Sequence, residues 1–257
     1  MREPTRIVHR IADDVPILTY IAGSADGRPA AYAIEVIGPG AVDSILTDMS
    51  GWKVSGSTEL AAQLVVAGAV VRRRFHFMRR SLTLDDPPQA WSQSDLGPGR
   101  REVPCDRDAR EVFEAWHAAY SAPGHPDRHT GGGHEMLNER LVPLLTGVEG
   151  RILPWSRLVV DPDDRVVAGV VVIDQDTTGP WIADVFRSPG PHNAGLGEAL
   201  LRRVLAAAAR ADVREVGLSV TDGNPARTVY QRLGFETTSS LVTLDIPGPQ
   251  RQGHPPD

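Results

Sequence analysis

Gly195 and Gly197 stand one residue apart where a run of strand type gives way to an Ala/Leu-rich run of helical spacing. Glycine carries no Cβ, so backbone N–H groups there can close around a bulky anion, and the dipole of the following helix favours its negative charge. The chemistry this spacing points to is phosphate binding, although an ordinary helix start can also carry glycine. Two familiar phosphate loops fit poorly. A dinucleotide fingerprint needs glycine where Leu200 stands, and no Gly-Lys-Ser/Thr follows. A second cluster, His125 to Glu135, holds three imidazoles (His125, His129, His134) and two carboxylates (Asp127, Glu135). His134-Glu135 lacks the second histidine that a zincin helix requires, so no metal is expected there. Cys105 is the only cysteine, which excludes an internal disulfide and a cysteine metal site.

The elements around the glycines follow from hydrophobic periodicity. Ile182 to Arg187 is strand-like, Ser188 to Gly197 is a Pro/Gly-rich turn, and Glu198 to Leu205 is helical. Upstream, Asp106-Arg107-Asp108 opens an amphipathic helix over Ala109–Tyr120 with Val112, Phe113, Trp116, Ala119 and Tyr120 on one face, and its three aromatic residues are expected in the core. Residues 135–145 predict a second helix, interrupted or ended near Pro143. Two strands flank the turn at Asp161-Pro162-Asp163-Asp164. Downstream come a strand over 213–220, a turn at Asp222-Gly223-Asn224-Pro225, a short helix from Ala226 to Leu233, and closing strands from Phe235 to Ile246.

Residues 1–85 read as a smaller mixed unit with a strand near Ala31–Ile37, a helix begun by Ser57-Thr58-Glu59, and a strand-rich stretch from Val70 to Leu84. The Pro/Gly composition of residues 86–99 predicts a linker, residues 100–246 a second domain, and residues 247–257 a loose tail. With 41% apolar and 23% charged residues, the 257-residue chain can bury ordinary cores. A formal charge of −6 gives no general basic field for nucleic acid, apart from the local run Arg72-Arg73-Arg74. Met1 to Arg6 leads into no apolar core of signal-peptide length, and no apolar run approaches a membrane span; a cytoplasmic home without membrane contact is expected.

His192-Asn193-Ala194-Gly195-Leu196-Gly197 resembles the Gln/Arg-x-x-Gly-x-Gly/Ala loop of the GNAT acyltransferases. The stretch from Asp222 to Phe235 is similar to the same family's Asn…Ala…Tyr…Gly-Phe element. The resemblance spans residues 100–246. It implies an α/β (α+β) fold, a mixed and mostly antiparallel sheet flanked by helices, with acetyl-CoA in a cleft where two neighbouring strands part. It also implies an acetyl-CoA-dependent N-acetyltransferase acting on a primary amine of a small molecule or peptide by direct attack in a ternary complex. Cofactor contacts would come from Val185, Phe186 and Arg187 on the parted strand, from His192, Asn193, Ala194, Gly195, Leu196 and Gly197 in the loop, and from Asn224 and Arg227. The first loop position departs from the family, since His192 replaces Arg or Gln.

Transfer from a thioester to an amine needs a neutral nucleophile, stabilisation of an oxyanion and a proton for the departing thiolate. Tyr230 matches the family tyrosine that supplies this proton, and Asp184 is the first candidate base or water relay; an ion pair is its structural alternative. The loop 125–135 would border the acceptor pocket, with His134 or Glu135 as other bases. Ser57 to Ala69 is similar to the family's last helix and turn, with Gly68 matching Gly234, Leu64 in the place of Tyr230 and Thr58 in that of Asn224. No glycine-rich phosphate loop precedes it, so this degenerate N-terminal copy should not bind CoA; it would cap the second domain or make a homodimer contact. Two rival readings are a non-catalytic acyl-CoA-binding or interaction module and a nucleotide-dependent oxidoreductase with an acidic residue near Glu215 on ribose.

Overall fold

A computed structural model describes residues 6–10, 15–25, 27–128, 131–175 and 178–248. The chain divides into two compact units, residues 1–76 with 239–257 and residues 77–238. No helix among the described residues is long and apolar enough to cross a membrane.

The first unit runs β1 (Arg6–Arg10), β2 (Pro16–Ala25), β3 (Arg28–Val36), α1 (Ala41–Asp48), β4 (Lys53–Ser57), α2 (Thr58–Val66) and into β5 (Val70–Ser81). Its strands lie in the order β1-β2-β3-β4, then β12 (Glu236–Asp245); β3 and β4 are parallel and the other pairs antiparallel. Leu18, Ile34, Ile45, Leu64, Val242 and Leu244 build its core. The helix start read at Ser57 is a true cap, for its hydroxyl accepts from Leu60 N at 3.2 Å.

The second unit continues with β6 (Arg101–Pro104), α3 (Ala109–Tyr120), α4 (Gly133–Met136), α5 (Val142–Leu145), β7 (Arg151–Ile152), β8 (Arg157–Val160), β9 (Val166–Gln175), β10 (Gly179–Arg187), α6 (Leu196–Arg210), β11 (Glu215–Thr221) and α7 (Ala226–Arg232). Its strand order is β5-β11-β10-β9-β8-β6, with β7 also on β9, and β10 and β11 run parallel within a mostly antiparallel sheet. One face packs on α6 through Val170, Val172, Ile182, Leu200 and Val204. The other packs on α3 through Val112, Trp116, Leu158 and Phe186. The second helix is interrupted just before Pro143 and ends at Leu145. A π-helical turn over Leu137–Leu141 sits between α4 and α5, and its wider spacing accommodates a residue that lacks an N–H and crowds the preceding turn.

This division differs from the boundaries expected at residues 85, 100 and 246. The chain passes between units inside β5 and again inside β12. Residues 239–246 belong to the first unit because Val242, Leu244 and Ile246 fill its core. Residues 86–99 are not a bare linker. Leu96 is buried, and Trp91, in a 3-10 turn over Gln89–Gln93, lies under the guanidinium groups of Arg80 (4.8 Å) and Arg202 (5.8 Å). Arg203 donates to the Ser94 carbonyl at 2.8 Å. One aromatic and one leucine were enough to tie down a segment whose Pro/Gly content reads as loose. Of the expected tail, residues 249–257 lie outside the described residues, whereas the Pro247 carbonyl accepts from Gly51 N (3.2 Å) and Ser50 Oγ (2.9 Å).

In the first unit a short glycine turn, Gly38-Pro39-Gly40, precedes α1, with Gly40 at φ 82° as the helix N-cap.

Candidate functional site

The turn between β10 and α6 starts as a short 3-10 segment, Pro191–Asn193. Asn193 N donates to Gly190 O (3.2 Å) and Ala194 N to Pro191 O (3.1 Å), so these two amides are already engaged. Gly195 caps α6 at φ 78°, a left-handed conformation that a side chain would strain. Nothing lies within 4 Å of where a Cβ on Gly195 or Gly190 would sit. Among the described residues the amides of Gly195, Leu196, Gly197 and Glu198 meet no protein acceptor, while Ala199 N already bonds Gly195 O. Four unpartnered donors at the start of a 15-residue helix fit an anion the size of a diphosphate. The Glu198 side chain is held by Arg202 and Arg232, each at 2.7 Å. Leu196 is buried, so only its backbone is available.

β10 meets β11 only at Trp181↔Gly217 and Ile182↔Leu218. Beyond that point β10 stays with β9 as far as Arg187 but leaves β11. The cause is local: the register against β9 slips between Ile182 and Asp184, a bulge with Ala183 as the extra residue. The bulge also resets which face each side chain takes. Ile182 packs on the α6 side and Val185 follows it there, whereas Asp184 and Phe186 turn toward α3. Val185, Phe186 and Arg187 lie on this parted edge. The Phe186 side chain is core, pressed on Gly169, leaving its backbone alone to serve a ligand; Arg187 is exposed.

Asp184 lies in a polar nest that sequence reading did not find. Trp116 Nε1 donates to its Oδ2 at 2.7 Å and the Tyr120 hydroxyl to its Oδ1 at 2.5 Å. The same hydroxyl lies 3.3 Å from the Val185 carbonyl. Among the described residues no cation pairs with the carboxylate, so the ion-pair alternative does not describe it there. The residue keeps some solvent contact, yet protein crowds the carboxylate closely. Burial outweighs the two hydrogen bonds and, with Glu149 and Asp127 nearby, lifts its pKa from 3.8 to about 6. Burial and the adjacent Asp184 charge likewise push the Tyr120 phenol upward. Trp116 and Tyr120 are core residues as read, but their polar tips, one helical turn apart, point at one carboxylate. That i,i+4 pair of aromatics with donors was the available signal.

Tyr230 projects from α7, its ring 6.0 Å from that of Phe235. It is buried, and its hydroxyl has no protein partner among the described residues. Burial first, then the charges of Asp184 and Asp127, raise its pKa and keep the phenol protonated at neutral pH. Asn224 caps the turn by accepting from Ala226 N at 2.9 Å, and its amide donates to Asp127 Oδ2 at 2.9 Å. Thr221 also donates to Asp127, which thereby pins the loop after α3 to the end of β11. His125 stacks edge-on against Tyr120 at 5.4 Å. Arg227 occupies the first turn of α7, 3.8 Å from Asp222.

The candidate site brings Asp184, Tyr230 and Asn224 together with Trp116, Tyr120, Asp127 and Thr221. His134 and Glu135 stand exposed on α4, where His134 meets Asn138, and neither hydrogen bonds into the Asp184 nest. His129 lies outside the described residues; among those described, no three His, Cys, Asp or Glu side chains gather as metal ligands.

The sheet thus holds one parted parallel pair, with unpartnered amides at the start of α6 and a buried tyrosine on α7. Residues 114–235 match the model of the Acetyltransferase (GNAT) family, and this stretch is a GNAT domain. No curated protein sequence matches at a significant level. Among solved structures, a GCN5-related N-acetyltransferase from Sphaerobacter thermophilus is similar with a TM-score of 0.64 and 19% identity over 96% of this chain and 82% of that one. One from Kribbella flavida gives 0.55 and 16% over 96% and 91%. A tandem GNAT protein from the clavulanic acid biosynthesis pathway gives 0.58 and 16% over 91% and 80%. At these identities the likeness is one of fold.

Proposed function

We propose that the chain is an acetyl-CoA-dependent N-acetyltransferase that acetylates a primary amine of a small molecule or peptide in a ternary complex. The observation that carries this reading is the coincidence of three features at one gap: unpartnered amides at the start of α6, the free edge of β10 beyond Ile182, and the unpartnered Tyr230 hydroxyl. Gly195 to Glu198 would hold the diphosphate and the β10 edge the amide-bearing arm. The cofactor supplies an activated acyl group on sulfur. Asp184, ionised at neutral pH yet more basic than an ordinary carboxylate, takes the proton from the acceptor ammonium directly or through one water. Tyr230 keeps its proton on Oη for the departing sulfur. Asn224 and Asp127 fix the loop that borders the acceptor side.

Turnover of acetyl-CoA against an amine library tests the reading. At least one amine should be acetylated, and Tyr230→Phe should lower kcat by about a hundredfold with CoA affinity nearly unchanged. CoA binding with no product from any amine would leave an acyl-CoA-binding module in its place, and binding of NAD instead of CoA an oxidoreductase.

A further inference from the structure

One side chain reaches the β10–α6 turn from the segment that precedes β6. Arg100 Nη2 donates to the His192 carbonyl and to Asn193 Oδ1, both at 2.8 Å, while its Nη1 donates to Leu96 O at 3.2 Å. Asn193 passes the restraint on, its Nδ2 donating to Ser188 O at 3.1 Å. The arm itself is preset. A Cβ on Gly97 would lie 2.6 Å from Arg100 Nη1, so the guanidinium rests directly on that backbone. The turn needs such a hold, because Gly190 and Gly195, at φ 116° and 78°, bound it with open space around both. His192 contributes its carbonyl to the clamp.

We propose that Arg100 is a positioning residue for the acyl-CoA diphosphate. Its planar fork fixes His192 and Asn193, which sets the direction of the Gly195–Glu198 amides before ligand arrives, and its permanent charge beside the turn favours an anion there. Preorganised donors bind more tightly because the ordering cost is met in the free protein. Lysine cannot reproduce this, since one ammonium does not span the Leu96, His192 and Asn193 acceptors in a fixed plane. The inference rests on the acyl-CoA reading above and adds a residue from outside the turn.

The test is calorimetric titration of CoA into wild type, Arg100→Gln, Arg100→Lys, Asn193→Ala and the Arg100→Gln/Asn193→Ala double variant, with hydrogen exchange of residues 188–199 in the ligand-free proteins. Arg100→Gln should weaken CoA about tenfold. Arg100→Lys should recover only a minor part, and the double variant should be no weaker than Arg100→Gln because both changes cut one clamp. Exchange across 188–199 should accelerate in each variant while the melting temperature stays nearly constant. Wild type that fails to bind CoA overturns the acyl-CoA reading. Wild type that binds, with Arg100→Gln binding equally well and exchanging no faster, overturns the role of Arg100 alone. Should Arg100→Gln not fold, Arg100→Lys and Asn193→Ala decide by the same two readouts.

Discussion

In the first unit β3 bulges at Ala33, ends in a short turn and feeds α1 through Gly40 at φ 82°; in the second, β10 bulges at Ala183, ends in a longer turn and feeds α6 through Gly195 at φ 78°. Each path continues into a strand parallel to the first, a short helix, a positive-φ glycine and another strand. The helix ends share two turn bonds. Ala69 N donates to Leu64 O as Phe235 N does to Tyr230 O, and Gly68 N to Val65 O as Gly234 N does to Gln231 O. What differs is closure. Past its bulge β3 rejoins β4 at Ile34↔Gly56, with Ser55 Oγ taking the Ala33 amide at 3.1 Å, whereas β10 never rejoins β11. Leu64 fills the place of Tyr230, and α1 has 8 residues against 15 in α6. A shared backbone route therefore leads to two different ends: one strand pair stays open and is lined by polar groups, the other closes.

The largest expected contrast comes from the two glycine caps. Valine at either position forces a β-branched residue into the left-handed region and should cost each variant a similar ~1–2 kcal/mol of stability. Only Gly195→Val also fills the space before the α6 amides. It should weaken CoA about a hundredfold, by displacing two or more charge-assisted contacts, and Gly40→Val should leave the affinity unchanged. Calorimetry on both proteins at one temperature makes the comparison. Equal losses would mean that the two helix starts are equivalent after all.

The Gly195 turn and the Tyr230 helix were legible in the sequence because each is local: glycines that demand a left-handed backbone, and an apolar period with a turn on either side. The helix at Ala109–Tyr120 and the hairpin around Asp161 read correctly for the same reason. The Ala183 bulge was not legible, since its cause is register against β9 and no residue within it is a turn former. With it went the direction of Asp184 and the nest of Trp116 and Tyr120, which depends on two elements 64 residues or more apart in sequence. The partners of Asp127 were hidden likewise, Thr221 and Asn224 lying 94 and 97 residues away in sequence. The buried role of residues 86–99 was masked by composition.

Asp184 sharpens the contrast at intermediate magnitude, for nothing acidic was found at the corresponding bulge in β3, where Ala33 and Ile34 stand. If Asp184 is the base, kcat/KM should fall about tenfold per pH unit below about 6, the value to which burial lifts it, and Asp184→Asn should lose about a hundredfold in rate together with that acid limb. Stability should move the opposite way. A folded-state pKa raised above 3.8 means that the native protein binds this proton more tightly than the unfolded chain. Ionising Asp184 then costs stability as pH rises from about 4 through about 6. The melting temperature of Asp184→Asn, relative to wild type, should accordingly climb over that window and level off above it. A difference independent of pH would show that the carboxylate is not perturbed in the fold.

The smallest expected effect tests the closed side. Ser55 is buried in β4 at 3% exposure, and its hydroxyl accepts the Ala33 amide at the β3 bulge. Ser55→Ala removes that acceptor and adds no bulk, so the urea midpoint should fall by the equivalent of about 1 kcal/mol, the net worth of one hydrogen bond. CoA affinity should stay within twofold of wild type, because the amides and strand edge that would grip the ligand all belong to residues 182–198 and the closure at Ala33 involves none of them. A drop in affinity comparable to that of Gly195→Val would mean that pairing of β3 with β4 governs the open gap between β10 and β11, and the two bulges would have to be treated as one coupled device.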